Sequence, residues 1–273
     1  MFRNFPTAFN HFILVTGLII MIVPVWIIFA SSTHSSLFIN TNGLQFFLGD
    51  SFLDNYSRVL YKKAGFFNEI TALKMFLNSF IMATGIALLS VVTSLMAAYG
   101  LVYFRIKYAS FFFWLIFITL LVPLELRIMP SYIVMSKLGL VNSYVGLILP
   151  ISASAIATFF FRQFYRSIPE ELLEAAKLDG TGSWKFFIDF LVPLSKTMIA
   201  AVFIFMFVFG YNQYLWPLIM TTTEQYWTVV MGLKTMYGSI SDRFAFVIMS
   251  MIPPVIIIIF LQRWFIQGIF QNK

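Results

Sequence analysis

The segment "RSIPEELLEAAKLDGTGSWKFFIDFLVP", Arg166 to Pro193, holds five of the chain's eleven acidic residues, yet long and almost uncharged apolar runs flank it on both sides. Its spacing reads as two short helices around a glycine turn. Ser167 and Glu170 have the S-x-x-E spacing of a capping box, so Ser167 is expected to cap the helix and Glu170 to reach back to the cap's own N–H. Pro169 falls in the first turn, where a missing N–H does no harm. Glu170, Glu171 and Glu174 crowd the positive end of the helix dipole. Gly180, just after Asp179, is a left-handed terminator, which gives a helix over about 169–178. Leu172, Ala175, Ala176 and Asp179 lie near one side of it. Ser183 is expected to cap a second helix, from Trp184 to about Phe190, with Trp184, Phe187 and Phe190 as exposed aromatic anchors and Pro193 as its end. Small and aromatic residues inside a charged rim suit a docking surface for another protein. The competing reading is an amphipathic pair lying on the membrane surface. It asks for a basic polar face, and this one is acid-rich.

The flanks decide the class. Of 273 residues, 60% are hydrophobic and 11% charged, and the mean hydropathy is +0.88. A soluble domain has about 45–50% apolar and about 25% charged residues. The excess is too large for one water-soluble core, so the bilayer is the solvent for most side chains. The 34 Phe residues fit lipid-facing helices. The formal charge of +7 comes from basic residues scattered through short loops, without a basic run or an RNA-binding aromatic pattern, which excludes nucleic acid as the natural partner. Anionic membrane lipid headgroups and an anionic substrate fit better. There is no cysteine, which excludes disulfides, thiolate metal sites and a Cys nucleophile.

Six stretches are long and apolar enough to span, at about 20 residues each: 11–30, 76–104, 108–124, 145–161, 197–220 and 244–263. The first has an apolar run longer than the roughly 7–15 residues of a signal peptide, so a retained anchor is expected. With the N-terminus inside, ten basic residues fall on the cytoplasmic side and eight outside. The inner set includes Arg3, Arg105, Lys107, Arg162, Lys196 and Lys273; three of the outer set sit in the long 31–71 loop, which counts for less. Both termini are then cytoplasmic and 162–196 is the large cytoplasmic loop. Pro24, Pro217 and the pair Pro253–Pro254 lie inside spans, where neighbouring helices and water satisfy the freed carbonyls; they read as kinks or hinges.

The central loop resembles the EAA loop of ABC importer permeases. Glu174-Ala175-Ala176, three residues, Gly180, nine residues and then a segment ending at Pro193 follow that family's spacing, with Phe190 and Val192 where the pattern has Ile and Leu. The stretches "FFWLIFITLLVPLELRIMPSY" (Phe112–Tyr132) and "PLSKTMIAAVFIFMFVFGYNQYLWPLIM" (Pro193–Met220) are similar to the maltose-type carbohydrate permeases, and within them to the second-permease branch that serves sn-glycerol-3-phosphate. The likeness covers most of the chain from Leu77 onward. The tail keeps Phe265 and Gly268 of a family pattern but lacks the Gly-rich basic ending of the maltose subunit. The resemblance implies an all-α integral membrane protein with the type I permease fold: six transmembrane helices and a cytoplasmic coupling loop. It implies a bacterial inner membrane, a heterodimer with a second permease subunit, two ATPase subunits and an extracytoplasmic substrate-binding protein. The coupling residues it points to are Glu174, Ala175, Ala176, Asp179, Gly180, Trp184 and Pro193. The chain has no G-x-x-x-x-G-K-[ST] loop, so ATP and Mg belong to the partner ATPases and no cofactor is expected on this chain. A carbohydrate or oligosaccharide is the alternative cargo.

The spans carry almost no charge in their cores. Proton-driven carriers place costly ionisable groups at midplane, so their absence points to an engine outside the membrane. No H-E-x-x-H, G-x-S-x-G or paired carboxylate is present for an intramembrane enzyme. The exception is Glu125-Leu126-Arg127 at the outer end of the third span. Arg127 has the guanidinium fork that suits a phosphate; the plainer role is an interfacial Arg neutralised by Glu125 or snorkelling to headgroups. In "YNQYLWP" (Tyr211–Pro217), Asn212, Gln213 and Tyr214 are candidates for substrate hydroxyls, against interhelical hydrogen bonding and an aromatic belt. Asn78 and Ser79 read as packing between helices. Phe52–Tyr61 reads as a short external helix placed to meet the binding protein.

Overall fold

The computed structural model describes residues 7–61, 70–104 and 106–270, leaving aside the side chains of Thr7, Ala8, Leu124 and residues 264–270. Arg3, Arg105 and Lys273 of the charge count, and the side chains of Phe265 and Gly268, lie outside them. Among the described residues every regular element is helical. In order they are α1 (Thr7–Ser32), α2 (Ser36–Asn42), α3 (Phe52–Tyr61), α4 (Ala72–Tyr103), α5 (Ala109–Ile118), α6 (Leu124–Lys137), α7 (Tyr144–Ser152), α8 (Ala155–Arg166), α9 (Glu170–Leu178), α10 (Ser183–Phe186), α11 (Val192–Leu194), α12 (Lys196–Tyr211), α13 (Leu215–Met220), α14 (Val229–Thr235) and α15 (Ile240–Phe270). A π-turn, Phe187–Leu191, joins α10 to α11.

Among the described residues three helices are long and apolar enough to cross a membrane: Phe9–Ser32, Ala72–Tyr103 and Ile240–Arg263. Three more spans result if each of three bent pairs counts as one. The breaks are informative. Ala109–Leu121 meets Glu125–Lys137 at 104°, α7 meets α8 at 48°, and Ser183–Leu194 meets α12 at 73°. The stretch 108–124 therefore turns sharply at Val122–Pro123, and 145–161 is interrupted at Ala153–Ser154. The stretch 197–220 is two helices separated by Asn212–Tyr214. Pro24, Pro253 and Pro254 lie inside continuous helices. Hydropathy registers an apolar run but not a backbone that leaves the helix within it, which is why the sequence presents these as single spans.

The chain divides into two compact units. The first comprises Met1–Phe76 and Met231–Ile252. There the segment after α2 folds back along the end of α1: Trp26 Nε1 donates to Phe46 O (2.9 Å), the Gln45 amide to Ser31 Oγ (2.8 Å) and the Gly49 amide to Thr33 Oγ1 (2.7 Å). α3 seats on the same end through Asn55, whose amide donates to Ser32 O (2.8 Å) and His34 O (2.9 Å). Tyr56 also packs there; burial pushes its phenol up from the usual range, and its hydrogen bond with Ser32 (2.8 Å) offsets part of that.

The second unit comprises Leu77–Val230 and Pro253–Lys273. Its core is small-on-large packing of α4 against α12. A Cβ on Gly210 would press against Ala83 and Ile86, and Phe80 meets Phe207 edge to face at 5.8 Å. In an apolar medium a broken helix needs donors for its freed carbonyls. α4 supplies one at the α7–α8 break, where Ser90 Oγ donates to Ser152 O (2.7 Å); Ser94 Oγ adds a bond to Ser154 O (3.3 Å), which already accepts the Thr158 amide. Asn78 joins α4 to α7 as expected, its Oδ1 accepting from Tyr144 Oη at 2.7 Å, and with Ser79 it does more. They hold the loop after α13: Asn78 Nδ2 donates to Gln225 O and Trp227 O, both at 2.8 Å, and Ser79 Oγ accepts from the Val229 amide at 2.8 Å.

Candidate functional site

The central loop forms the expected helix–turn–helix, with two local corrections. Ser167 does not cap α9. It closes the preceding helix, its hydroxyl donating to Phe164 O at 2.7 Å. Pro169 occupies the N-cap position of α9 with no side-chain cap bond. α8 runs to Arg166, so its last carbonyls are the nearest acceptors and take the hydroxyl first. At the other end the structure agrees with the sequence. Gly180 has φ +71°. The Thr181 amide donates to Ala176 O (2.9 Å) and the Gly180 amide to Lys177 O (3.0 Å), the two bonds of a Schellman motif.

α9 exposes Glu174, Ala175, Lys177 and Asp179, while Ala176 is buried. Leu178 is 89% exposed and Trp184 63%. Two large apolar side chains thus stand free on either side of the Gly180 turn. Leu178 was not among the sequence candidates; its signal was an apolar residue directly before the helix stop. Ser183 is the first helical residue of α10, and Gly182 occupies the cap. Phe187 is not an exposed anchor. It is buried against Tyr99 at 4.9 Å and packs at a tilt against Trp184 at 5.5 Å. Phe190 is half-buried against Phe186.

These aromatic contacts form the base of the loop. Tyr99 and Tyr103, one turn apart near the end of α4, receive it. Tyr99 Oη donates to Ser183 O at 2.6 Å, and Tyr103 packs edge-on against Phe186 at 5.6 Å and Tyr165 at 5.9 Å. Pro193 lies in α11, and beyond it the buried Ser195 donates its hydroxyl to Leu191 O (2.6 Å) at the 73° bend into α12. α10 is thus connected to α4 through a short hydrogen bond and ring contacts, and to α12 through the backbone. Packed elements of this kind move as bodies rather than deforming smoothly.

The substrate candidates separate. Asn212 Nδ2 donates to Val208 O (2.9 Å) and Gln213 Nε2 to Phe209 O (3.2 Å). Both amides turn back onto carbonyls of the last turn of α12, where Phe209 O has lost its usual partner because the Gln213 amide bonds Gly210 O (3.3 Å), a local demand that the sequence pattern does not show. Tyr214 caps α13 and is half-buried. Arg127 lies elsewhere. It faces a cavity of about 270 Å³ together with Pro123, Ser131, Ser154, Phe209 and Trp216, and Asn212, Gln213 and Tyr214 do not line it. Among the described residues neither Arg127 nor Glu125 forms an ion pair, so the expected neutralisation of Arg127 by Glu125 is not what the structure shows.

Residues 90–271 match the family described as "Binding-protein-dependent transport system inner membrane component". The chain is 39% identical over 277 residues to the sn-glycerol-3-phosphate transport system permease protein UgpE of Brucella melitensis biotype 1, covering 99% of this chain and 98% of that protein. It is 39% identical over 281 residues to UgpE of Agrobacterium fabrum, covering 100% of both, and 39% identical over 272 residues to UgpE of Yersinia pestis bv. Antiqua, covering 97% and 96%. In fold it is similar to a chain from the crystal structure of a bacterial ABC transporter involved in the import of the acidic polysaccharide alginate: TM-score 0.79, 21% identity, 96% of this chain and 100% of that chain covered. Helices apolar enough to cross a membrane, a match over two-thirds of the chain and full-length relatives converge. This all-α integral membrane chain belongs to the family of binding-protein-dependent transport system inner membrane components.

Proposed function

We propose that this chain is a transmembrane permease subunit of an ATP-driven importer for sn-glycerol-3-phosphate and its diesters, moving its cargo by alternating access. The observation that carries this reading is the end-to-end 39% identity to UgpE permeases. The braced loop supports the mechanical part. Glu174, Ala175, Leu178, Asp179 and Trp184 form the face offered to an ATPase subunit, Gly180 sets its turn, Ala176 anchors α9 from within, and Pro193 leads the motion into α12. The engine lies outside the chain: two ATPase subunits hold ATP and Mg, a second permease completes the pore, and a binding protein delivers cargo from outside. The chain itself performs no catalysis. Both termini face the cytoplasm in this arrangement, which puts the 162–196 loop beside the ATPases.

The test is reconstitution of the chain with its permease partner, ATPases and binding protein in vesicles. ATP-dependent uptake of labelled glycerol-3-phosphate is expected, competed by glycerophosphodiesters and not by maltose-type sugars. Uptake competed by sugars alone would replace the cargo assignment, and uptake without ATP would remove the importer reading altogether.

A further inference from the structure

Three interruptions of apolar helices surround one space. Val122 and Pro123, at the α5–α6 break, line the cavity; so do Ala153 and Ser154, at the α7–α8 break; Phe209, in α12, and Trp216, in α13, line it from either side of the Asn212–Tyr214 interruption. Backbone that leaves the helix at membrane depth is tolerated where it is buried in protein or lines a water-filled cavity. Among the described residues lining this one, Arg127 is the single charged side chain, and no carboxylate accompanies it. Arg127 is exposed into this space and forms no ion pair among the described residues, so its guanidinium is open to an incoming anion. Two hydroxyls share the space with spare donor capacity. Ser154 Oγ accepts from the Ala157 amide (3.2 Å), which leaves its O–H free to donate. Ser131 is half-buried, and its hydroxyl makes no hydrogen bond to another described residue. Pro123, Phe209 and Trp216 supply apolar walls. The volume, about 270 Å³, falls just below the roughly 300 Å³ at which pockets for drug-sized ligands begin, which suits a smaller group.

We propose that Arg127, with Ser131 and Ser154, forms a transient phosphate-recognising subsite within this permease, occupied by the phosphomonoester group of the cargo while its carbon skeleton lies against the apolar wall. The inference rests on the reading of the chain as a glycerol phosphate permease and assigns part of cargo recognition to this subunit. The guanidinium fork holds two phosphate oxygens and the hydroxyls donate to the third. An uncharged polyol finds no partner for the guanidinium there and is not retained.

Two measurements on the assembled transporter in vesicles test it. Replacing Arg127 by Gln is expected to lower glycerol-3-phosphate uptake at least tenfold while leaving ATPase stimulation by loaded binding protein within twofold, and Arg127→Lys to restore a substantial part of the uptake. The absence of native cysteine allows the second. In Ser131→Cys, glycerol-3-phosphate is expected to slow labelling by a thiol reagent at least threefold and glycerol not at all, and adding Arg127→Gln should abolish that protection. Wild-type uptake by a normally assembled Arg127→Gln complex, or labelling indifferent to glycerol-3-phosphate in a complex that imports it, overturns the subsite and leaves the permease assignment standing. A wild-type complex that imports no glycerol-3-phosphate overturns both.

Discussion

Arg58 and Asp242, 184 positions apart in sequence, form an ion pair in which Nε and Nη2 of the arginine both lie 2.8 Å from Oδ1 of the aspartate. The carboxylate is 6% exposed and sits in the first turn of α15, where the helix dipole favours it; the arginine is 39% exposed. Arg58 Nη2 also donates to Asn55 Oδ1 (2.6 Å), and Asn55 holds the end of α1. The cluster thus ties α1, α3 and α15 together. A fully buried pair costs about 3–5 kcal/mol when one partner is removed, and an exposed pair about 0–1. Half exposure of the arginine places Arg58→Ala between them, at about 2 kcal/mol. A double-mutant cycle with Asp242→Ala, read by thermal unfolding in detergent, is expected to show clear non-additivity. Independent, additive losses would mean that the pair contributes nothing as a pair.

Gly180 carries a second prediction. At φ +71° a residue with a Cβ meets the left-handed penalty of about 1–2 kcal/mol, more for a β-branched one. No neighbouring atom fills the space where its Cβ would be, so the effect of Gly180→Val is conformational rather than steric. The turn between Leu178 and Trp184 changes course, and the face offered to the ATPase loses its shape. The expected result is normal membrane insertion with ATP hydrolysis uncoupled from uptake. Gly180→Asn, which tolerates that region better, should retain part of the coupling.

The left-handed turn was legible because one residue type answers a purely local steric question. The apolar class was legible because it is a sum over the chain. The capping box was not: Ser167 has two helix ends within reach, and only the length of α8 decides which one takes its hydroxyl. Phe187 looked like an exposed anchor because its cover, Tyr99, comes from a helix more than eighty residues away. Asn212 and Gln213 looked like free amides because nothing in a hydropathy pattern announces that α12 stops at Tyr211. Arg127 was recognisable as an oddity, while its cavity depends on three helix breaks that the sequence presents as continuous spans.

Tyr99 connects the coupling loop to α4 in two ways that substitution separates. Tyr99→Phe removes only the hydrogen bond to Ser183 O (2.6 Å), at about 1 kcal/mol, and keeps the ring against Phe187 and Phe104. Tyr99→Ala removes both, at about 3 kcal/mol. If the rings carry the motion, Tyr99→Phe transports at a rate within about twofold of the parent, and Tyr99→Ala hydrolyses ATP without proportionate uptake. Equal uptake-to-hydrolysis ratios in Tyr99→Ala and the parent would show that the loop drives α12 alone.

Gly146, in the first turn of α7, has no room for a side chain: a Cβ there would run into the carbonyl oxygen of Leu140 and the Met220 methyl. A backbone atom cannot swing aside as a flexible side chain can, so Gly146→Ala acts as overpacking and is expected to cost about 1–3 kcal/mol. The substitution also presses on the link between Asn142 and Met220, whose amide–carbonyl bond is 3.0 Å. Thermal unfolding of the assembled complex reads the loss. Met220→Ala in the same chain frees only the side-chain half of the clash, so it should recover little beyond its own cavity cost. Full recovery by Met220→Ala would place the obstruction at the methionine and not at the backbone.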